Sequence, residues 1–306
     1  MNRFGLVLTV LLLAATYARA GVTVQDDRGN TVSLARPAER IVSLAPHATE
    51  LLFAAGAGSR MVGAVDWSDF PPAAREVPRV GSYVQPDLER IVALKPDLVV
   101  AWYSGNEPRL VERLRALGYP VYVSEMRALE EVPAGIERLG RLAGTDAAAS
   151  RAAADFRARR DRLQTSYAAG VPVRVFYQIW DKPLMTINNE HLITRVMELC
   201  GGRNVFGDLP TLTPHLDVEG VLVANPQAIV ASGMGEARPD WLDHWRRWPD
   251  LTAVKNGHLF FVPPDFLQRP TPRILDGAQQ MCEALEQVRK DTAKRGGDPR
   301  AASVKP

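Results

Sequence analysis

Cysteine is nearly absent from this chain of 306 residues: only Cys200 and Cys282 occur. Two thiols so far apart exclude a cysteine-built zinc or iron–sulfur centre, whose ligands come in closely spaced sets. Histidine is scarce as well. His47, His191, His215, His244 and His258 show none of the i, i+3 or i+4 spacings of a helical metal site, so no resident metal or other cofactor is expected. An excess of one charge is missing, because 37 basic residues are interspersed with 35 acidic ones for a net +2, and no cationic block points to nucleic acid. G-x-S-x-G and the P-loop are absent, and Ser43-Leu44-Ala45-Pro46-His47 stands where a glycine fingerprint would follow the first strand. These absences point away from an enzyme. Beyond the N-terminus no run approaches the roughly 18 apolar residues of a membrane span.

What is present begins with Met1-Asn2-Arg3, an apolar stretch from Phe4 to Thr16, and Ala18-Arg19-Ala20 before Gly21. That order is expected of a signal peptide, residues 1–20, cleaved near Ala20. No Cys lies near the cleavage site to accept a lipid, so the expectation is a free periplasmic protein, not inserted in a membrane and monomeric. In that oxidising compartment Cys200 and Cys282 read more simply as a disulfide than as two buried free thiols. Closing a loop of about 80 residues restricts the unfolded chain by a few kcal/mol in the entropy account.

The composition, 46% hydrophobic and 24% charged, is that of a globular protein. An internal repeat organises it. The segment from Asp87 to Ala101 lies over that from Asp217 to Ala231, 130 positions on, with Asp87/Asp217, Glu89/Glu219, Pro96/Pro226, Val100/Val230 and Ala101/Ala231 in register. Each copy reads as a short helix starting at an Asp N-cap, stopped by Pro and followed by a buried strand. Arg40–Leu44 and Arg174–Gln178 both read as the first strand of a lobe. Strand-like runs at 41–44, 98–102, 121–124, 173–178, 228–231 and 259–262 alternate with helical stretches, the pattern of parallel sheets with crossover helices. The expected fold is therefore α/β: two Rossmann-like lobes, residues 21–130 and 171–290, joined by one long rigid helix over 131–170, with a disordered tail over 291–306. A single rigid connection predicts that the lobes move little on binding.

Ligands of α/β sheets gather beyond the carboxyl ends of the strands, so two facing sheets form one cleft. Trp67, Tyr83, and Trp102 with Tyr103 fall there from the first lobe, and Trp180 and Phe266 from the second. Such rings suit a large, partly flat, apolar ligand, although each could equally be core packing. Asp265 and Arg269 read either as polar contacts to the ligand or as partners of each other. His47, just after the first strand, is placed at the cleft mouth, where it could meet a ligand or the metal of a macrocycle, or bond only its neighbours.

The chain resembles the periplasmic cobalamin-binding proteins of the BtuF type, within the helical-backbone solute-binding family that also serves haem and iron-siderophore uptake. The resemblance runs from about Arg40 to Val288. It is carried by Thr49-Glu50-Leu51-Leu52-Phe53-Ala54-Ala55-Gly56, by Leu88–Val99, by Cys200-Gly201-Gly202-Arg203-Asn204-Val205-Phe206, by Pro272-Arg273-Ile274 and by Gln279-Gln280-Met281-Cys282. It implies vitamin B12 held in an aromatic cleft and delivered to a two-subunit permease of an ABC importer. Trp67, Tyr83 and Trp102 match ring positions of the family's first lobe; Asp265 and Arg269 match polar contacts from the second. The resemblance also implies a Cys200–Cys282 disulfide. Glu89 and Glu219 match carboxylates that dock onto permease arginines, and one such group per lobe suits two identical subunits. The plainer reading of both is a glutamate favoured by a helix N-terminus. The chain departs from the pattern at Tyr83 and Phe266, which replace Trp, at Gln268, which replaces an acid, at His47, which replaces an amide, and around Leu212-Thr213-Pro214, which lacks a Trp. A haem or iron-siderophore carrier of the same fold is the alternative, and a tetrapyrrole chelatase-like enzyme a remote one.

Overall fold

The computed structural model describes residues 21–233 and 237–296; the expected signal peptide lies outside them. A hairpin, β1 (Val22–Gln25) with β2 (Thr31–Leu34), precedes the first lobe. That lobe runs β3 (Ile41–Ser43), α1 (Pro46–Ala54), β4 (Met61–Ala64), α2 (Leu88–Ala93), β5 (Leu98–Trp102), α3 (Pro108–Ala116) and β6 (Val121–Ser124). Then come α4 (Glu131–Ala143) and α5 (Asp146–Tyr167). The second lobe runs β7 (Val173–Gln178), α6 (Leu192–Leu199), β8 (Gly202–Asn204), α7 (Val218–Ala224), β9 (Ala228–Ala231), α8 (Thr252–Lys255), β10 (Leu259–Phe261), α9 (Pro264–Leu267) and α10 (Ile274–Gly296).

Both sheets are parallel, ordered β4-β3-β5-β6 and β10-β9-β7-β8. Reversing the second list gives β8-β7-β9-β10, so strand for strand the two lobes have one topology, as the repeat requires. In each, the first strand's connection leaves to one side and the third strand's to the other. The point where the order reverses lies between β3 and β5 in one lobe and between β7 and β9 in the other, where α/β sheets open a crevice.

The segment over 131–170 holds two helices, α4 packed on α1 and β1 of the first lobe and α5, the one helix that joins the lobes. Gly144 ends α4 in the left-handed conformation (φ 63°), its N–H bonded to the Arg141 carbonyl, and Thr145 N–H reaches back to Gly140. Glycine adopts that conformation without the Cβ cost other residues bear. The spanning element is α5 alone, about 33 Å long at 1.5 Å per residue. Its buried residues Ala149, Ala153, Phe156 and Leu163 form one stripe, while Arg157 and Arg159 pair with Glu137 of α4 and Asp276 of α10. The tail is also corrected: α10 continues past 290 to Gly296, helped by Asp291, which accepts from or pairs with the buried His258 ring 3.3 Å away.

Each sheet is covered on both faces. One apolar core runs through both lobes, from Ile41, Leu52 and Ile136 by way of Phe156 and Leu163 to Val175, Met197, Met281 and Leu285. The outer faces carry separate cores, one around Val99, Ile91 and Leu114 and one around Phe176, Ile229 and Trp245. Cys200, at the end of α6, and Cys282, in α10, form a fully buried disulfide that ties those helices together.

Candidate functional site

The carboxyl edges of the two sheets face each other, because side chains from the loop after β10 reach the segments after β3 and β4. Arg269 Nη1 lies 3.0 Å from Glu50 Oε1 and 3.1 Å from Asp69 Oδ1, and Arg273 grips Glu50 with two hydrogen bonds, Nε to Oε2 at 2.9 Å and Nη2 to Oε1 at 2.6 Å. At the far edge of the first sheet, Arg127 after β6 lies 3.6 Å from Glu190 of the second lobe.

The first-lobe wall is aromatic and held from behind. Trp67 is 72% exposed and adopts φ 63°, a conformation that bulky residues rarely take. Asp66 N–H bonds the Gly81 carbonyl, and the buried hydroxyls of Ser43, Thr49 and Ser68 lie 3.0 Å apart in sequence beneath the loop. Tyr83 and Trp102 meet with centroids 5.8 Å apart. A Cβ on Gly105 would overlap the Trp102 ring, so that position admits only glycine if the ring stays where it is. Asn106, which no sequence signal singled out, brackets three loops at once. Its Oδ1 accepts from Trp102 N–H at 2.7 Å, and its Nδ2 donates to the carbonyls of Leu44 (2.9 Å) and Tyr83 (2.7 Å). Tyr103 is half-exposed beneath the Arg28 guanidinium, 4.0 Å away.

From the second lobe, Trp180 is 41% exposed and its indole N–H donates to the Lys182 carbonyl at 3.0 Å. It lines a hollow of about 760 Å³ with Lys182, Gly233, Trp241 and His244, at the β7–β9 reversal point, a volume within the range of small-molecule sites. Gln178 supports it: Oε1 accepts from Trp245 Nε1 at 2.7 Å, and Nε2 faces the Trp180 carbonyl. Phe266 is partly buried against the shared core.

One site expectation changes, and one left open between two readings gains a partner. His47 is not at the cleft mouth but buried at 4% exposure behind Trp102, whose ring meets it edge-on at 5.3 Å, with Nε2 3.4 Å from Ser124 Oγ. Arg269 and Asp265 do pair, at 3.1 Å, and the arginine is further committed to Glu50 and Asp69, so its guanidinium is occupied by carboxylates of this chain. Sequence spacing could not reveal this, since Glu50 and Arg269 are 219 positions apart.

Burial, and after it the positive charge of Arg269, pull the His47 pKa down to about 3. The folded protein therefore holds this imidazole neutral, whereas the unfolded chain takes up its proton near pH 6.5. Its contribution to stability is full above that pH and is lost as pH falls from 6.5 towards 3, by up to about 1.4 kcal/mol per pH unit. His47→Gln is expected to flatten the decline of the urea midpoint between pH 6.5 and 4; an unchanged slope would assign the proton uptake to other groups.

Glu89 and Glu219 are exposed in the first turns of α2 and α7, each beside an Asp cap: Asp87 accepts from Arg90 N–H at 3.1 Å and Asp217 from Gly220 N–H at 2.7 Å. Both helices cover the outer face of their sheet, away from the shared core.

Two α/β lobes of one topology, a helical strut between them and a ring-lined cleft at their facing edges define a solute-binding protein, and the chain belongs to the periplasmic binding protein family, whose pattern matches residues 41–266. It is 42% identical over 255 residues to the vitamin B12-binding protein of Vibrio cholerae, covering 83% of this chain and 91% of that one, and 36% identical over 256 residues to the vitamin B12-binding protein of Pectobacterium atrosepticum. The crystal structure of the periplasmic vitamin B12-binding protein BtuF of Vibrio cholerae superposes with a TM-score of 0.76 at 41% identity, over 83% of this chain and 99% of that one. A periplasmic heme-binding protein from Pseudomonas aeruginosa shares the fold at 23% identity and a TM-score of 0.71.

Proposed function

We propose that this chain is exported to the periplasm, binds cobalamin between its lobes and delivers it, without catalysis, to the two-subunit permease of an ABC importer. The observation that carries the reading is the ring wall of Trp67, Tyr83 and Trp102, kept in place by a buried polar frame in a chain 42% identical to the vitamin B12-binding protein of Vibrio cholerae. A corrinoid is broad, partly flat and apolar on its faces with amides at its rim, and aromatic faces bury such area at small entropic cost. Trp180 and Phe266 complete the enclosure from the second lobe. Cobalamin is cargo here and no resident cofactor is required; Glu89 and Glu219 are the docking groups. The burial of His47 behind Trp102 removes the best candidate for axial coordination of a haem iron.

Titration of the mature protein with cyanocobalamin, followed calorimetrically, is expected to give one site per chain at micromolar affinity or tighter. Silence with cyanocobalamin beside tight binding of hemin would overturn the assignment. Trp67→Ala is the sharper test. Its ring is mostly solvent-exposed, so the fold is expected to keep its stability, while cobalamin affinity falls about 30-fold, or ~2 kcal/mol, the scale of a buried aromatic anchor.

A further inference from the structure

The most concentrated polar contact between the lobes lies beside the cleft and is not explained by ligand chemistry. Glu50, in α1, is 2% exposed at its side chain, yet it is a carboxylate, and its two closest charged partners are Arg269 and Arg273 from the opposite lobe, each 15% exposed. Arg269 also binds Asp69 of the first lobe and Asp265 of its own. The Arg273 guanidinium lies 4.0 Å over the Phe70 ring of the first lobe and 5.6 Å from the Phe266 ring centre of the second.

We infer that Glu50, Arg269 and Arg273 are positioning residues whose interlocking hydrogen bonds set the spacing and angle of the two cleft walls before any ligand arrives. A buried ion pair contributes little net stability, because desolvation offsets most of the attraction; what it supplies is registry, since a forked guanidinium accepts a carboxylate in few geometries. Here the Arg273 fork and a single N–H from Arg269 converge on one carboxylate, and a displacement of either lobe breaks several directional bonds together. The three residues also sit where wall geometry is determined. Glu50 is one turn from His47, on which Trp102 rests, Asp69 is two positions from Trp67, and Arg269 is three from Phe266. Arg273, stacked on Phe70 and facing Phe266, touches both walls. The inference deepens the cobalamin reading but is tested first without ligand.

Nitroxide labels at Leu117→Cys and Val223→Cys, both exposed and one on each lobe, report the interlobe distance by pulsed electron resonance in a chain whose native cysteines are both in the disulfide. The parent is expected to show one narrow distribution, and Glu50→Ala a broader one with a longer mean. Arg273→Lys, which keeps the charge and leaves Arg269 on Glu50 but loses the fork, is expected to fall between them; it keeps the test decisive if Glu50→Ala folds poorly. Cyanocobalamin is expected to leave both variants about tenfold faster than the parent, because wall placement must then be restored by binding. Distributions that superpose on the parent's in folded Glu50→Ala or Arg273→Lys would overturn the inference even if cobalamin binding holds. Broadened distributions in a protein that ignores cobalamin would sustain it and sink the cargo instead.

Discussion

Replacing Cys200 and Cys282 together by alanine is expected to destabilise the protein by about 4 kcal/mol, the largest loss foreseen for any small change in the chain. The bond closes a loop of 82 residues, and freeing that loop raises the entropy of the unfolded state. Alanine is the informative choice because both positions are fully buried among apolar residues, where serine would add the cost of an unsatisfied hydroxyl. Urea unfolding checks it. The midpoint is expected to fall while the slope rises, since an uncrosslinked chain exposes more surface. A loss of less than about 1 kcal/mol would mean that the packing of α6 on α10 holds that region without help from the cross-link.

Reversing charge at both Glu89 and Glu219 is expected to abolish uptake and spare binding. Each glutamate is exposed on a short helix that packs on the outer face of its sheet, and the doubled topology presents one per lobe. On the proposed docking a permease of two like subunits would meet two like carboxylates, and arginine in both places would turn attraction into repulsion. In cells lacking the native copy, uptake of labelled cobalamin by Glu89→Arg/Glu219→Arg is expected to drop to the level of cells without the protein, with affinity in vitro within about twofold of the parent. Uptake at the parent's rate would sink the docking role and leave the two glutamates as residues that suit a helix N-terminus.

Much of the architecture was legible because burial leaves a plain mark. The runs at 98–102, 173–178 and 228–231 are apolar and β-branched, and all three are central strands. β4 and β8 escaped notice: Met61-Val62-Gly63-Ala64 and Gly202-Arg203-Asn204 are short, contain glycine and flank their sheets. The same local reasoning merged α4 with α5, since helical composition resumes after Gly144 and only the φ of that glycine separates them. At the site, position after a strand correctly placed Trp67, Trp102 and Trp180 at the carboxyl edges. It could not say which way a side chain turns, and so His47 was set facing the cleft when Trp102 covers it. Asn106 and Glu50 were invisible for another reason: their roles exist only in partners up to 223 positions away.

The core that passes from Ile41 through Phe156 to Leu285 has a consequence for how such a carrier reports its state. Lobes with separate cores can swing apart as independent bodies, and a partner can then sense cargo by the angle between them. Lobes that share one core are expected to unfold as a single cooperative unit, even though each also carries an outer core of its own. On the proposed docking, the distance between the two outer carboxylates is then expected to be nearly the same in loaded and empty protein. The signal that a cargo is present would then travel through what fills the cleft, and an importer of the proposed kind, gripping both lobes, would feel the load by resistance to prising them apart and not by a prior change of shape.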